Sequence, residues 1–203
     1  MQKHIYCSAA ITPKMHDVFI SFILSQNDVT EYVIYLTSPG GFPFVGFNLY
    51  SFIKARPEET TVYNMGNVDS AAVQFFLGFK KRYSTPTGTF MVHQTTFSKD
   101  FLPQNYSRFD VQKALNELAS IESKTEQIIL AETTARAQTP LTVEQIRAAI
   151  FQTTIVRAPE ALSHGIIDAI VEPVLPSNDV LYLTETYLAQ IPMTLPVTTT
   201  SAP

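Results

Sequence analysis

The sequence has little of what marks secreted or membrane proteins. It contains a single cysteine, Cys7, which cannot form an internal disulfide, and its first residues lack the long apolar stretch of a secretory signal. Its most apolar windows, residues 18–24 and 71–79, are far shorter than the roughly 20 residues that span a bilayer. These absences predict a cytoplasmic protein with no membrane segment. Cys7 is predicted to fill a core position, because its neighbours Ile5 and Tyr6 are typical of a strand and no general base lies nearby in sequence.

Clusters of positive charge are also absent. The chain of 203 residues carries 14 Lys and Arg against 18 Asp and Glu, a formal net charge of −4, and it has no basic run or stripe. Nucleic acid is therefore not a predicted partner. With 45% apolar residues, the chain is long enough for one compact domain with its own core, and length alone does not suggest a second domain.

What the sequence does have is a repeated order of strand-like and helix-like segments. Residues 31–37 are nearly all apolar, β-branched or aromatic, which suits a strand buried on both faces of a parallel sheet. Apolar residues at helical spacing precede and follow this run. The order then returns as a short strand at 60–65, a turn at 66–69 and a helix at 70–79. Two strand-turn-helix units in succession predict a parallel, right-handed α/β arrangement.

The second half of the chain predicts shorter elements around one long helix. Two short strands flank a turn at residues 86–88. The stretch from about 106 to 137 spaces its apolar residues along a helix that is too long and too weakly amphipathic to serve only for packing. Helices at 142–151 and 158–164 and a final strand at 166–173 follow, with conventional capping residues at the helix ends.

The chain beyond this strand differs in composition. We expect residues 1–173 to form the domain and residues 174–203 a C-terminal extension. Residues 179–191 can form a terminal helix or a strand that docks on the sheet. The last ten or so residues are rich in proline and threonine, and we expect them to be disordered.

Three features fall at the carboxyl ends of predicted strands, where parallel α/β folds gather their reacting groups: the pair Gly40-Gly41, Ser70 and His93. Adjacent glycines let the main chain approach a bound group closely and point N–H donors at it. Ser70 begins a helix, whose free amides favour developing negative charge. His93 can take a proton from the serine, because an unperturbed imidazole titrates near neutrality.

Each feature also has an ordinary structural explanation. Ser70 can be a helix N-cap, the glycine pair can form a simple turn, and His93 can be a hydrogen-bonded core residue. None of them indicates catalysis when it is taken singly. The prediction depends on their order and context.

Four segments carry a resemblance to the ClpP family of serine peptidases, the proteolytic chambers that partner AAA+ unfoldases. They are YLTSPGG (35–41), MGNVDSAA (65–72), FMVHQ (90–94) and APEALSHGIIDAIVE (158–172), and they occur in the family's order. The resemblance covers about residues 5–171. It implies an α/β fold of the ClpP/crotonase-like type, a spiral of strand-strand-helix repeats, in which residues 106–137 form a protruding handle helix that interlocks two rings.

The resemblance also implies partners. It predicts peptide or unfolded protein substrates and a homo-oligomeric ring, with two stacked heptamers as one arrangement. It implies no cofactor and no metal. The chain begins almost directly on its first strand, without the family's N-terminal segment that lines the axial pore and meets the unfoldase, so we expect coupling to an AAA+ ATPase to be doubtful.

Site residues follow from the resemblance position by position. Ser70 matches the nucleophile, His93 the general base, and the amides of Gly41 and Ala71 the oxyanion hole. The family's glycine turn continues into an edge that binds extended substrate. The predicted substrate-binding residues are therefore Gly40, Phe42, Gln94 and Thr95.

The sequence departs from the family at the third position of the catalytic triad. Counting back from Ala158 without a gap, the family's catalytic aspartate matches Thr153, and no carboxylate lies nearby. Asp168 matches a different family aspartate, which we interpret as structural. Loss of the carboxylate can cost a Ser-His pair about four powers of ten in turnover. Thr153 or Gln152 can still accept a hydrogen bond from the imidazole, which would orient the ring but stabilise its charge less.

A second departure lies beside the nucleophile. Asp69 replaces a residue that is usually small, and a carboxylate next to a developing oxyanion is unfavourable unless it points away or is paired.

Three functional classes follow from these observations. The leading hypothesis is a ClpP-like serine endopeptidase with weak activity, because both Ser70 and His93 are retained. The second is a catalytically impaired ClpP-like ring or scaffold subunit, which would explain the missing aspartate. The third is a crotonase-type acyl-CoA enzyme, which shares the fold, but the sequence has no convincing signature of its glutamates or adenine pocket.

Overall fold

A computed structural model of the chain describes residues 1–96, 105–176 and 179–192. The described residues form a mixed α/β fold with eight strands and seven helices, which confirms the predicted fold class. The strands are β1 (Gln2–Ser8), β2 (Glu31–Ser38), β3 (Glu59–Asp69), β4 (Lys81–Ser84), β5 (Thr89–Val92), β6 (Thr154–Arg157), β7 (Ala169–Ile170) and β8 (Val180–Thr184). The helices are α1 (Pro13–Ser25), α2 (Pro43–Lys54), α3 (Ala71–Leu77), α4 (Arg108–Thr133), α5 (Val143–Gln152), α6 (Ala158–Ser163) and α7 (Glu185–Gln190).

All eight strands belong to one sheet, with the main order β6-β5-β3-β2-β1-β8. Neighbouring strands run parallel except β5 and β6, which are antiparallel. Five successive residues of β2 are buried, from Tyr32 to Leu36, as its unbroken apolar run predicts for a strand covered on both faces. The parallel arrangement predicted from the repeated strand-turn-helix order is confirmed.

Strand β3 has two neighbours on the same side. Its first half pairs with β4 through residues 61–64, and its second half pairs with β5 through residues 67–69. The sequence predicts a turn at 66–69, and this is wrong, because these residues continue the strand. Pairing with β5 on one side and with Ser38 of β2 on the other, after a register shift, overrides the turn preference of Gly66 and Asn67.

The core lies between the sheet and the helices that follow its strands. Its aromatic side chains meet edge to face, as in the pairs Phe19–Phe75 and Phe76–Phe90, whose ring centroids are 5.2 and 4.9 Å apart. Every residue of α3 is buried. The helix that follows Ser70 is therefore anchored on all sides, which makes the position of its first turn rigid.

Helix α4 is the predicted long helix, with 26 residues from Arg108 to Thr133. Ser107 and Asp110 form a capping box at its start. Its buried residues concentrate in the C-terminal half, where α4 contacts α3 and α5, whereas the N-terminal half is largely exposed. The helix is thus a packing element at one end and an exposed projection at the other.

The chain after residue 174 contains both of the elements that the sequence left open. Strand β8 pairs in parallel with β1, and α7 follows it directly. The predicted final strand at 166–173 is reduced to the two residues of β7, because only Ala169 and Ile170 pair with β4. The predicted disorder of the last ten or so residues falls outside the described part of the chain. Across the described ranges, every helix is either too short or too polar to cross a bilayer.

Candidate active site

Ser70 lies between the end of β3 and the start of α3, with unusual backbone angles. Its φ is +53° and its ψ −123°, a region that a residue with a side chain rarely adopts. Its N–H donates to the Met91 carbonyl at 2.7 Å, and its carbonyl accepts from Val73 at 2.9 Å. Ser70 occupies the N-cap position of α3, but its side chain makes no capping hydrogen bond. Capping therefore does not explain a serine here.

His93 meets Ser70 because the strands before them pair. Asp69 at the end of β3 lies opposite Met91 of β5, so the two segments that follow these strands leave the sheet side by side. The His93 Nε2 atom lies 2.8 Å from Ser70 Oγ, a hydrogen-bond distance. The sequence brings these residues to neighbouring strand ends, and the structure joins their side chains directly.

The hydrogen bond of the other ring nitrogen of His93 determines which atom donates in the contact with Ser70. Nδ1 lies 2.5 Å from the main-chain oxygen of Gln94. A carbonyl oxygen can only accept, so Nδ1 carries the proton and donates it to this hydrogen bond. In that tautomer Nε2 has a free lone pair and accepts from the Ser70 hydroxyl. The imidazole is thereby oriented as a base toward the serine.

Two glycines form the turn that lies against Ser70. Gly40 has φ +86°, and a Cβ atom there would lie 2.6 Å from Ser70 Cβ. Gly41 has φ +151°, and its Cβ would lie 2.3 Å from the Ile11 oxygen. Neither position has room for a side chain, and both angles favour glycine. Glycine is therefore required at both positions, because Ser70 and Ile11 lie too close for a side chain and because the turn needs positive φ angles.

The amide of Gly41 is oriented by its own peptide plane. The Gly40 carbonyl accepts from the Ile11 N–H at 2.8 Å. In a trans peptide the C=O and the following N–H point in opposite directions, so the Gly41 N–H faces away from Ile11. Among the described residues it has no hydrogen-bond acceptor, and the same holds for the Ala71 N–H at the start of α3. Two main-chain donors beside Ser70 are thus available.

A pocket opens next to this Ser-His pair. Its walls combine the catalytic candidates with side chains of α4 and α5: Pro43, Ser70, Ala71, Gln74, Val92, His93, Thr95, Ile121, Glu122, Thr125 and Ile150. The buried Gln74 lies in α3, where its amide oxygen accepts from Thr125 Oγ1 at 2.9 Å and its amide nitrogen donates to the Ala71 carbonyl at 2.8 Å. The bond to Thr125 links α3 to α4 beside Ser70, whereas the bond to Ala71 lies within α3.

Sequence reasoning missed the role of Gln74, although one signal was present. Gln74 is the single polar side chain in an otherwise apolar buried helix. A buried amide needs hydrogen-bond partners, so its occurrence there indicates a structured polar contact. The acceptor that Gln94 offers to His93 had no such signal, because it is a main-chain carbonyl that every residue carries.

Thr153, the position that matches the family aspartate, ends α5 with a left-handed backbone at φ +57°. Val92 pairs with Thr154 in the antiparallel β5–β6 ladder, so Thr153 lies across from His93 in the register. Its side chain is exposed, and neither Thr153 nor Gln152 hydrogen-bonds to His93. The sequence suggested one of these two side chains as the acceptor, whereas the Gln94 carbonyl fills that role.

Asp69 and Asp168, the two carboxylates considered from the sequence, are both paired. Asp69 accepts from Asn67 Nδ2 at 2.7 Å, so the carboxylate that precedes Ser70 is hydrogen-bonded. Asp168 accepts from the Arg82 N–H at 2.8 Å and forms an ion pair with Arg136 at 2.7 Å. Its contacts are structural, as the resemblance implies.

The predicted substrate-binding residues flank the pocket without forming a closed site. Phe42 follows the glycine turn with 57% of its surface exposed. Gln94 is also exposed, and Thr95 lines the pocket, where its N–H donates to Glu122 at 3.3 Å. Their role in binding stays a prediction.

The comparisons with known proteins agree with one another. The family model that matches is described as Clp protease and covers residues 1–174. The chain is similar to the ATP-dependent Clp protease proteolytic subunit 2 of Chlamydia trachomatis, with 26% identity over 160 residues, 78% of this chain and 73% of that protein. The corresponding subunit of Chlamydia muridarum is 27% identical over the same coverage.

Among solved structures, a ClpP1 mutant from Listeria monocytogenes has a similar fold. The TM-score is 0.70 at 20% sequence identity, over 84% of this chain and 92% of that one. At this identity the likeness concerns the fold alone. Taken with the family model, which spans most of the chain, it leads to one conclusion: this chain belongs to the Clp protease family.

Proposed function

We propose that the chain is a serine endopeptidase of the ClpP type, in which Ser70 attacks the peptide carbonyl. The observation that carries this proposal is the 2.8 Å contact between Ser70 Oγ and His93 Nε2, with Nδ1 engaged by a carbonyl acceptor. Nε2 accepts the serine proton as the Oγ–carbon bond forms, and later delivers it to the leaving amine. Ser70 and His93 therefore act as nucleophile and general base.

The proposed oxyanion hole consists of the Gly41 and Ala71 amides. As the carbonyl carbon becomes tetrahedral, its oxygen gains negative charge, which fixed N–H donors stabilise. Both amides lack acceptors among the described residues, and the glycine turn packs directly on Ser70. Gly40, Phe42, Gln94 and Thr95 would flank an extended peptide in this arrangement.

The activity we expect is modest. In the full triad a carboxylate stabilises the imidazolium that forms during attack, and here a neutral carbonyl takes its place. A carbonyl fixes the tautomer and the ring orientation but carries no full charge. We therefore propose hydrolysis of peptides or unfolded segments at a rate below that of a complete triad.

A second candidate is a catalytically impaired ring or scaffold subunit. One observation favours it: within the described residues, the hydrogen bonds of His93 involve only Ser70 and the Gln94 carbonyl, so no carboxylate supports the ring. This candidate predicts assembly without reaction at Ser70. It leaves the retained serine, histidine and glycine turn unexplained.

Active-site labelling separates the two candidates. A fluorophosphonate probe is expected to label the wild-type protein, to spare Ser70→Ala, and to react at least tenfold more slowly with His93→Ala. Ser51→Ala, which removes an exposed serine of α2, is the matched control and should label like wild type. Unlabelled wild-type protein would favour the scaffold. Labelling that persists in Ser70→Ala would mean that another residue reacts.

Partners and location complete the proposal. We propose a homo-oligomeric ring, with peptide or unfolded protein as substrate and a cytoplasmic location, by analogy with the family. The two chlamydial relatives are named as ATP-dependent subunits.

A further inference from the structure

The C-terminal segment contacts β1, and the residues that follow β1 hydrogen-bond to the glycine turn. Strand β8 pairs with β1 as far as Ser8 and Thr184. The next residue along, Glu185, turns its carboxylate back to the end of β1, where Oε1 accepts from the Ala10 N–H at 2.6 Å. A residue near the end of the chain thus holds the main chain close to its beginning, through a charge-assisted hydrogen bond.

Ala10 is followed by Ile11, which is hydrogen-bonded to the glycine turn on both sides. The Ile11 N–H donates to the Gly40 carbonyl at 2.8 Å, and the Ile11 carbonyl accepts from the Phe42 N–H at 2.8 Å. These two bonds hold the peptide groups that flank Gly41. Ile11 is itself fully buried, and its oxygen lies so close to Gly41 that a Cβ atom would not fit. The turn therefore has little freedom to move independently of Ile11.

We propose that Glu185 is a positioning residue for the oxyanion hole. Its carboxylate fixes the Ala10 amide, Ala10 fixes Ile11, and Ile11 sets the orientation of the Gly40–Gly41 peptide whose N–H faces the reacting carbonyl. This inference rests on the proposed function, because it takes the Gly41 amide as an oxyanion donor. It gives the segment after residue 174 a part in the reaction at Ser70.

The contact can be removed without undocking the segment. Glu185 is exposed, whereas Leu183 and Leu188 on either side of it are buried and anchor β8 and α7. Thr184 caps α7 independently by accepting from the Tyr187 N–H at 3.2 Å. Substitution of Glu185 should therefore loosen the end of β1 while the sheet, the core and α7 remain in place.

The structural test is amide hydrogen exchange on full-length protein. In Glu185→Ala we expect the Ile11 and Phe42 amides to exchange at least tenfold faster than in wild type, and in Glu185→Gln, which retains an acceptor oxygen, less than threefold faster. Asp110→Ala is the matched control, since it removes another carboxylate that accepts from a main-chain amide, at Ser107. Unchanged exchange in Glu185→Ala, or an equal change in Asp110→Ala, would overturn the inference. This readout needs no catalytic activity.

The functional test uses a peptide boronate, which forms a tetrahedral adduct with the serine, beside a peptide substrate. Glu185→Ala should bind the boronate about tenfold more weakly and lose kcat by a similar factor with KM nearly unchanged, whereas Glu185→Gln should stay within threefold of wild type. A merely structural role would lower stability and leave boronate affinity and kcat intact, and this would refute the inference. Failure of wild-type protein to react at Ser70 would instead refute the proposed function.

Discussion

Thr153 places an ordinary side chain on an unusual backbone. Its φ of +57° lies in the left-handed region, where β-branched residues are strained and Asp and Asn are comparatively favoured. The β5–β6 register sets it across from His93. The position is therefore suited to a carboxylate both by backbone conformation and by its neighbour.

Thr153→Asp is expected to raise kcat for peptide or ester hydrolysis by tenfold or more. An aspartate that reaches Nδ1 would stabilise the imidazolium formed during attack, a contribution that reaches about four powers of ten in a full triad. Thr153→Asn is the matched control, because it has the same shape without the charge and should raise kcat much less. Steady-state kinetics measures both variants. Equal rates in wild type and Thr153→Asp would mean that the Gln94 carbonyl keeps the ring out of reach.

Cys7, the last residue but one of β1, is fully buried, and burial raises the pKa of its thiol to about 12. The neighbouring charge of Glu185 acts in the same direction. Because the thiolate is the reactive form, hardly any of it exists in the folded protein at pH 8. These conditions agree with the prediction of a core position rather than a nucleophile.

Native Cys7 is therefore expected to resist thiol reagents between pH 7 and pH 9, and to react within minutes once the protein is unfolded in guanidinium. The raised pKa also has a consequence for stability. Above the ordinary thiol pKa the unfolded chain loses this proton more readily than the folded one, so stability should fall as pH rises further. Colorimetric thiol titration measures the reaction. Rapid reaction of the native protein at pH 8 would contradict this account.

At the scale of elements, Arg82 joins β4 to the end of α4. Its side chain is completely buried, and burial lowers the pKa of its guanidinium to about 10. Nη2 donates to the Glu132 carbonyl at 2.7 Å and to the Gly165 carbonyl at 3.3 Å. The Glu132 side chain in turn accepts from Tyr50 at 2.7 Å. Polar contacts, and not only apolar packing, thus hold the base of the long helix.

Arg82→Met is expected to lower the free energy of unfolding by about 3 kcal/mol. The buried Glu132 and Gly165 carbonyls lose their donor at about 1–3 kcal/mol each, and removal of a buried charge offsets part of this loss. Urea denaturation measures the loss. Arg108→Met, at an exposed arginine of α4, should change stability by less than about 0.5 kcal/mol. A similar loss in both variants would show that the buried hydrogen bonds contribute little.

At the scale of the whole molecule, α4 leaves apolar surface uncovered. Its 26 residues extend about 39 Å at the usual helical rise. On the N-terminal half, Phe109 and Leu115 expose 75% and 55% of their surface. Apolar side chains on a projecting helix are suited to contact with a second copy of the chain, as the predicted interlocking of two rings requires.

Phe109→Ser combined with Leu115→Ser is expected to weaken self-association at least tenfold, since burial of one large apolar side chain contributes about 1.5–3 kcal/mol. Sedimentation velocity at micromolar concentration measures the assembly. Leu24→Ser, which replaces an exposed leucine of α1, is the control and should assemble like wild type. A wild-type protein that sediments as a monomer would contradict the proposed ring.

Local sequence patterns were sufficient to predict those strands and helices whose residues have the same structural preference as their tertiary environment. Buried β2 follows from its unbroken apolar run, and α5 from the capping pair Thr142 and Gln145. Local patterns were insufficient where pairing with strands distant in sequence decides the structure. Residues 66–69 were predicted as a turn, but pairing with β5 and β2 continues β3 through Gly66. The length of β7 was overestimated for the same reason, since a strand exists only as far as it has a partner.

The proximity of Ser70 and His93 was predicted from the motifs, whereas the hydrogen bonds around them were not. The sequence gives the identity of every side chain, so the proposed nucleophile Ser70, the proposed base His93, the glycine turn and the missing aspartate could all be named from it. The acceptor for His93 Nδ1 and the bonds that hold Gly41 come from the main chain of Gln94 and Ile11. Every residue offers these same groups, so composition and spacing cannot distinguish them.

The order of apolar segments was enough to predict a parallel α/β protein, and four motifs were enough for the resemblance to the ClpP family, which the family match confirms. Tertiary folding alone decided which carbonyl orients the imidazole, how far β3 extends, and where the C-terminal segment docks. The physical reason is that these outcomes depend on contacts between residues far apart in the chain. Glu185 and Ala10 are 175 positions apart, and no local preference links them.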